Sequence, residues 1–281
     1  MDDITATIRG VTVGKGTVYR WASWPESLMS TPSIRTADVP RSGRNGVTPG
    51  PDLLGAGKVV FDLHVLGSDL ATMEGYVADL TEAFAPSSSD IALDVRMSGT
   101  PDEYRFYGRP RGVEVAWPRT TRNGVCRARA LFVATDPLRY STTESTASTG
   151  LTTLSGGLDF PATAPFVFGT AGDSSVMDCT NDGTIATPWV ATFSGPLTAP
   201  ELVHLGSGKR ITLSGATLAA GETLVVDSDA RTVLLEGTAS RYSWLAAASQ
   251  WFDIEPGANS VQLLGASGSG SVSLAWRSAW I

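Results

Sequence analysis

Val59-Val60-Phe61-Asp62-Leu63-His64-Val65-Leu66 decides the fold class. Val59, Phe61, Leu63 and Val65 take one side of a period-two pattern, and Val60, Asp62, His64 and Leu66 take the other. The segment therefore reads as a strand with one wholly apolar face. A helix follows it. Leu70, Met73, Val77, Leu80 and Phe84 recur at three- and four-residue spacing and predict one apolar stripe over Asp69 to Phe84. Ser68 or Asp69 can cap its start, and Pro86 ends it.

Upstream, Thr5 to Val13 and Thr17 to Trp21 flank Gly14-Lys15-Gly16, which predicts a β-hairpin. Residues 32 to 57 then carry Pro, Gly and Arg with little apolar content, a long loop of the kind that marks function or an arm. Downstream, strands are expected at Ile91 to Met97, Tyr104 to Phe106, Val113 to Trp117 and Cys126 to Ala134. Together these predict an antiparallel sheet with one packed helix over residues 1–140. Trp117 alternates with Val113 and Val115 and is expected in the core.

After Asp136-Pro137-Leu138-Arg139-Tyr140 the composition turns to Ser, Thr and Gly, so residues 141–157 are expected to be a linker. Residues 158–281 read as short strands and turns. Leu202 to Leu205 and Ile211 to Leu213 flank Gly206-Ser207-Gly208, and Leu224 to Asp227 and Thr232 to Leu235 flank Ser228-Asp229-Ala230. Trp251 to Ile254 and Val261 to Leu264 flank Pro256-Gly257, and Gly265 to Gly270 reads as a last hairpin connection before Val272 to Trp276. Strands at this spacing predict a β-sandwich. The overall class is mostly β, a sheet domain with one helix followed by a sandwich.

The chain has 281 residues, 42% of them hydrophobic, and a net charge of −7. That balance supplies a core and argues against a non-specific nucleic-acid binder, which needs a basic face. No run of about 18 apolar residues occurs, so no membrane span is expected. Met1-Asp2-Asp3 opens without an apolar segment, so no secretory signal is expected and assembly in a cytoplasm follows. Cys126 and Cys179 are expected as buried free thiols.

Catalytic signals are weak. His64 and His204 are the two histidines, each without a second ligand at metal spacing, and both read as solvated strand positions. Gly206-Ser207-Gly208-Lys209 lacks the spacing of a phosphate loop and has no helix after it. No Gly-x-Ser-x-Gly elbow opens a helix. Asp227 with Asp229, and Asp253 with Glu255, read as solvated turn and strand acids, not as a glycosidase pair. No catalytic, cofactor or metal residue is therefore assigned, and no enzyme is expected. Eight tryptophans leave a sugar-binding role physically possible, but Trp276 alternates with Val272 and Leu274 as core, and core or interface use is expected ahead of stacking on sugars.

Gly221-Glu-Thr-Leu-Val-Val-Asp227, Arg231-Thr-Val-Leu-Leu-Glu-Gly237, Trp251-Phe-Asp-Ile-Glu-Pro-Gly-Ala-Asn259 and Val272 to Trp276 resemble the siphophage distal tail protein family. Arg35 to Gly50 resembles the belt loop of that family, and the helix ending in Phe84 and residues 136 to 140 fit it too. Gly237 follows Glu236 where the family often has Asn. The resemblance implies an N-terminal ring-forming domain, usually hexameric, on the end of the tail tube, and a C-terminal galectin-like sandwich carrying baseplate or receptor-binding proteins. It implies a virion tail-tip location, with DNA passing through the ring unbound. Arg35, Arg41 and Arg44 are the expected interface residues, placed to meet acidic neighbours in an otherwise acidic protein. A carbohydrate-binding adhesin, a tail-associated cell-wall hydrolase and another minor tail protein of the same fold are the alternatives.

Overall fold

The computed structural model describes residues 4–23, 25, 28, 30, 32–97, 103–117, 123–151 and 175–281. Met1-Asp2-Asp3, Trp24 and residues 152–157 of the expected linker lie outside the described residues. The chain divides into two compact units, residues 1–142 with Ile281 and residues 143–280.

In the first unit the elements are β1 (Thr5–Ile8), β2 (Val11–Gly14), β3 (Tyr19–Trp21), β4 (Ile34–Arg35), β5 (Val39–Pro40), β6 (Val47–Thr48), β7 (Leu53–Leu54), β8 (Gly57–Leu66), α1 (Leu70–Ala83), β9 (Ile91–Arg96), β10 (Glu103–Ala116), β11 (Val125–Ala134) and β12 (Arg139–Ser141). Its main sheet runs β2-β1-β9-β10-β11-β8-β3, antiparallel throughout, and β12 adds to β10. Val59, Phe61, Leu63 and Val65 of β8 all point into the core, as their alternation predicts. Met73, Val77, Leu80 and Ala83 of α1 are buried with them. Phe84 closes the helix edge-on to Phe61, with ring centroids 5.4 Å apart. Each such side chain contributes about 1.5–3 kcal/mol by leaving water. Asp69 is the N-cap, and its Oδ1 accepts the Thr72 N–H at 2.9 Å.

Two N-terminal expectations are corrected. The first hairpin turns at Arg9-Gly10, not at Gly14-Lys15-Gly16. Arg9 (φ 45°) and Gly10 (φ 81°) are consecutive left-handed residues, the requirement of a two-residue type I′ turn. The Gly14 to Gly16 segment instead releases the chain so that β3 pairs with β8. Trp117 is not core but 54% exposed. A register shift between Pro110 and Val113 interrupts β10, and beyond it Val113 and Val115 are only partly buried. Alternation assigns a residue to a face, but not a cover to that face.

In the second unit the strands are β13 (Ser145–Gly150), β14 (Val176–Asn181), β15 (Trp189–Ser194), β16 (Leu197–Thr198), β17 (Glu201–His204), β18 (Arg210–Thr212), β19 (Thr217–Leu218), β20 (Thr223–Asp227), β21 (Thr232–Leu235), β22 (Ala239–Ser240), β23 (Gly257–Leu264), β24 (Ser267–Gly268) and β25 (Ser271–Trp276). They build a six-stranded sheet, β13-β25-β15-β20-β21-β22, and a four-stranded one, β14-β23-β17-β18. Trp189, Phe193, Leu224 and Leu274 from the first share one core with Cys179, Leu202, Val261 and Leu263 from the second, which makes a sandwich. The hairpins expected around Gly206-Ser207-Gly208 and Ser228-Asp229-Ala230 form, with Val203 paired to Arg210 and Asp227 to Thr232.

Three readings change here. Ser145–Gly150, expected within the linker, is an edge strand paired along its length to β25, from Ser145 opposite Trp276 to Gly150 opposite Ser271. Its small polar side chains suit an edge whose outer face is wet. Trp251 to Ile254 is no strand; it forms one isolated bridge, Ile254 opposite Thr187, and its Phe252 carbonyl accepts the Trp189 ring N–H. Gly265 to Gly270 closes no hairpin, because β23 and β25 lie in different sheets; within it Ser267 and Gly268 pair with Thr198 and Leu197. The Glu236-Gly237 turn takes φ of 52° and 66°. Glu236 holds a conformation that favours Asn, and its carboxylate accepts the Thr223 N–H at 2.6 Å.

Candidate assembly interface

Residues 32–57 are not structureless. β4 pairs with β7 and β5 with β6, so the segment doubles back on itself as an antiparallel arm. Arg41 N–H donates to the Gly46 carbonyl at 3.1 Å near the tip, and Gly55 N–H to the Ser33 carbonyl at 2.6 Å near the base. The legs approach closely: a Cβ on Gly50 would lie 2.3 Å from the Ala37 carbonyl oxygen, so glycine is required there. Residues 33–49 are exposed throughout.

The arm carries large apolar side chains that are exposed. Ile34 is 57% exposed, Val39 63%, Val47 46% and Leu53 54%. Leu53 sits opposite Arg35 and Val47 opposite Pro40, whereas Ile34 sits opposite Leu54 and Val39 opposite Thr48, so apolar side chains occupy both faces. Apolar groups on both faces of an exposed arm make it a candidate contact surface. Sequence reasoning missed these residues, because the hydrophobic pairs are spaced across the hairpin and not along it.

All three sequence-predicted residues lie on this arm. Arg35 is in β4, Arg41 follows β5, and Arg44 lies in the tip between Gly43 and Gly46. Among the described residues none of the three has an ion-pair partner. The sheet arginines contrast with them. Arg105 binds Asp94 through two bonds of 2.7 and 2.8 Å, Arg109 meets Asp90 at 2.7 Å, and Arg129 approaches Asp62 at 3.6 Å. The Thr135 hydroxyl, together with Arg109, holds the Asp90 carboxyl below the usual range.

No cluster of three or more His, Cys, Asp or Glu able to hold a metal is found among the described residues. His64 is exposed on β8, but His204 corrects the solvated reading: it is 4% exposed, with Nε2 at 3.0 Å from Asn259 Oδ1 and Nδ1 at 3.1 Å from the Ser207 N–H. Asp227 caps its own turn by accepting the N–H groups of Asp229 and Ala230. Cys126 and Cys179 are free and buried, and burial pushes the Cys179 thiol up to about 12. Trp189 and Trp276 are core, their ring N–H groups donating to the Phe252 and Thr180 carbonyls.

The chain is thus a sheet unit with an exposed arm, followed in sequence by a sandwich unit. Residues 182–280 match the model of the siphovirus-type tail component, C-terminal domain. All four C-terminal motifs that carry the sequence resemblance lie inside that range. The whole chain has the fold of the phage SPP1 Dit protein, a hub of the adsorption apparatus in phages infecting Gram-positive bacteria: 16% identity, 99% of each chain covered and a TM-score of 0.67. It is also similar to a chain of the phage p2 baseplate in its activated conformation with calcium, at 11% identity, 97% of each chain and a TM-score of 0.53. The same baseplate with strontium gives 10% identity, 96% of this chain, 97% of that one and 0.54. No curated protein matches the sequence.

Proposed function

We propose that this chain is a distal tail component of a long-tailed phage, a structural protein that links the tail tube to the host-adsorption proteins. The observation that carries the reading is the siphovirus tail-component match over residues 182–280 within a chain that shares the SPP1 Dit fold from end to end. The first unit forms a ring, hexameric by that likeness, on the tube end. The second unit faces baseplate or receptor-binding partners. DNA passes through the ring without specific binding, and the net charge of −7 per chain keeps the genome from adhering. Assembly takes place in the host cytoplasm. Arg35, Arg41 and Arg44 bring the arm to a neighbouring copy.

Among the described residues Trp117 of the first unit is 54% exposed, but the tryptophans of the sandwich do not favour the sugar-binding alternative. The sandwich tryptophans at 189 and 276 are core, and Trp244 and Trp251 pack partly buried against it. The first test is light scattering of the purified chain with electron microscopy of stained particles. A six-fold ring with a central hole and about six times the 29.4 kDa chain mass is expected. A chain that stays monomeric at high concentration and with its tail-tip partners overturns the ring.

A further inference from the structure

We infer that Asn45, at the tip of the arm, is a self-modifying site, where the Gly46 backbone nitrogen displaces the side-chain amide and leaves aspartate and isoaspartate. The chain has four asparagines, and two of them, Asn45 and Asn123, precede glycine. The reaction has three requirements. The attacking peptide nitrogen must carry no crowding side chain, it must have room to swing onto the Asn Cγ, and nothing must hold the amide. The three coincide at residue 45, and no partner protein is needed.

Arg41-Ser42-Gly43-Arg44-Asn45-Gly46 joins β5 to β6, and every one of these residues is exposed. Gly46 has a φ of 95°, and a Cβ there would meet nothing within 4 Å, so its nitrogen moves without obstruction. Among the described residues neither the Asn45 amide nor the Gly46 N–H is hydrogen-bonded. Arg41 and Arg44 are the charged residues of the loop, and both favour the anion that the Gly46 nitrogen becomes on losing its proton. The other asparagines are held. Asn123 is exposed, but Gly124 is buried at φ 73°, and a Cβ on it would lie 2.6 Å from the Gly67 carbonyl oxygen. The Gly124 carbonyl also accepts the Gly67 N–H at 2.7 Å. Asn181 and Asn259 are buried, neither precedes glycine, and each Nδ2 donates to two backbone carbonyls.

Water is the only co-reactant. The Gly46 nitrogen gives up its proton and bonds to Asn45 Cγ, the Cγ–Nδ2 bond breaks, and the proton ends on Nδ2, which leaves as ammonia. The succinimide ring then takes up one water and opens at either carbonyl. Opening one way gives aspartate. Opening the other way gives isoaspartate, whose main chain runs through Cγ and is longer by a methylene. Both products set a carboxylate between Arg41 and Arg44, so a loop with two bases and no acid becomes one with a single surplus charge. The isoaspartate form also disturbs the bond from Arg41 N–H to the Gly46 carbonyl, because the lengthened segment lies inside the loop that this bond closes. The tip of an aged chain therefore differs from that of a new one in charge and in shape.

Mass spectrometry of the full chain tests this. Freshly purified, dilute protein is held in mildly alkaline buffer, sampled over days and cut after lysine. The piece 16–58 has Asn45 as its single asparagine and contains no glutamine, so the mass gain of exchanging NH2 for OH reports residue 45 alone. The piece 59–209 holds Asn123 and Asn181 and is the internal control. Piece 16–58 should take up the gain at least about tenfold faster than piece 59–209, because Gly124 must open locally before its nitrogen can move. The rate should rise with pH, and isoaspartyl methyltransferase should label piece 16–58. Asn45→Gln, whose ring closure must span an extra methylene, should lose the gain in that piece. The comparison of the two pieces is made within the wild-type chain, so it does not depend on a variant folding. A piece 16–58 that stays unchanged, or gains no faster than piece 59–209, overturns the site. A gain that yields aspartate without isoaspartate means direct hydrolysis by water and overturns the attack by Gly46.

Discussion

Arg9 in the β1–β2 turn donates to the carbonyl oxygen of Ala85, just past the end of α1, at 3.0 Å. The same Nη1 lies 3.3 Å from the Glu82 carbonyl oxygen. Helix ends leave carbonyls without partners, and α1 has no base in its own last turn, so a residue over seventy positions away supplies the charge. This ties the first hairpin to the helix and explains why a bulky side chain is kept at φ 45°.

Arg9→Ala therefore loses the helix-end bonds while keeping the turn, and should cost about 1–2 kcal/mol. Arg9→Asn restores the residue that the turn prefers and should cost less, because the gain in turn propensity offsets part of the lost cap. Urea unfolding of both variants checks the order. Equal stability for wild type and Arg9→Ala would show that the carbonyls are satisfied by water.

Asn259 organises one corner of the sandwich. Its Nδ2 donates to the Glu255 and Gly257 carbonyls at 2.7 and 2.9 Å, and its Oδ1 accepts the Glu255 N–H at 3.1 Å. Both amide hydrogens are thereby used, so His204 Nε2 must donate to Oδ1, and Nδ1 accepts from Ser207. Asn259→Ala leaves buried polar groups without partners and should destabilise the chain by about 2–3 kcal/mol. Asn259→Asp should cost at least as much, since a carboxylate has no hydrogen for two carbonyls. Thermal unfolding of each variant decides it.

Much of the first unit was legible because its pattern is local. The alternation of Val59 to Val65 and the spacing of Met73, Val77 and Leu80 each name a face, and Asp69 is a cap by type and place. The hairpin at Arg9-Gly10 was missed because Arg is a rare choice for a left-handed residue, and its reason lies across the fold at Ala85. Ser145–Gly150 looked like a linker because a Ser/Thr edge strand is defined by its partner β25 and not by its own composition. The apolar partners Ile34 and Leu54 of the arm face each other only once the hairpin is closed. The departure at Glu236 became intelligible through Thr223, thirteen residues away.

Gly183 stands where backbone meets backbone. A Cβ there would lie 1.8 Å from the Ala279 carbonyl oxygen, and Thr184 N–H donates to that same oxygen at 2.9 Å. The obstructing atom is main chain and cannot rotate away. Gly183→Ala should destabilise the chain by about 2 kcal/mol or more, as overpacking does, whereas Gly150→Ala, whose Cβ would meet only the Gly270 carbonyl oxygen at an ordinary van der Waals distance of 3.9 Å, should be nearly neutral. Matched unfolding curves of the two variants test the contrast.

Alkali should act through buried acids. Burial pushes the Tyr19 hydroxyl up to about 12, and that hydroxyl donates to the Tyr76 carbonyl at 2.9 Å. The folded value is raised above the unfolded one of about 10, so the contribution is complete below pH 10 and is lost as pH rises through about 12. Tyr19→Phe should be the less stable chain near neutrality by about 1 kcal/mol, and should lose less between pH 9 and 12. Parallel slopes over that range would show that Tyr19 does not titrate with folding.

Trimming the arm separates folding from assembly. Residues 33–49 are exposed throughout and, among the described residues, β4 to β7 pair only with one another, so replacing residues 36–52 with a short Gly/Ser turn removes no buried side chain. The melting temperature should stay within about 2 °C, the range of surface changes. The same chain should fail to form the ring, because Ile34 and Leu53 remain but Val39, Val47, Arg41 and Arg44 are gone. Light scattering and thermal unfolding on one preparation read both quantities. A trimmed chain that melts early would mean that the arm belongs to the core of its own unit, and one that still forms rings would show that neighbouring copies hold each other through the main sheet instead.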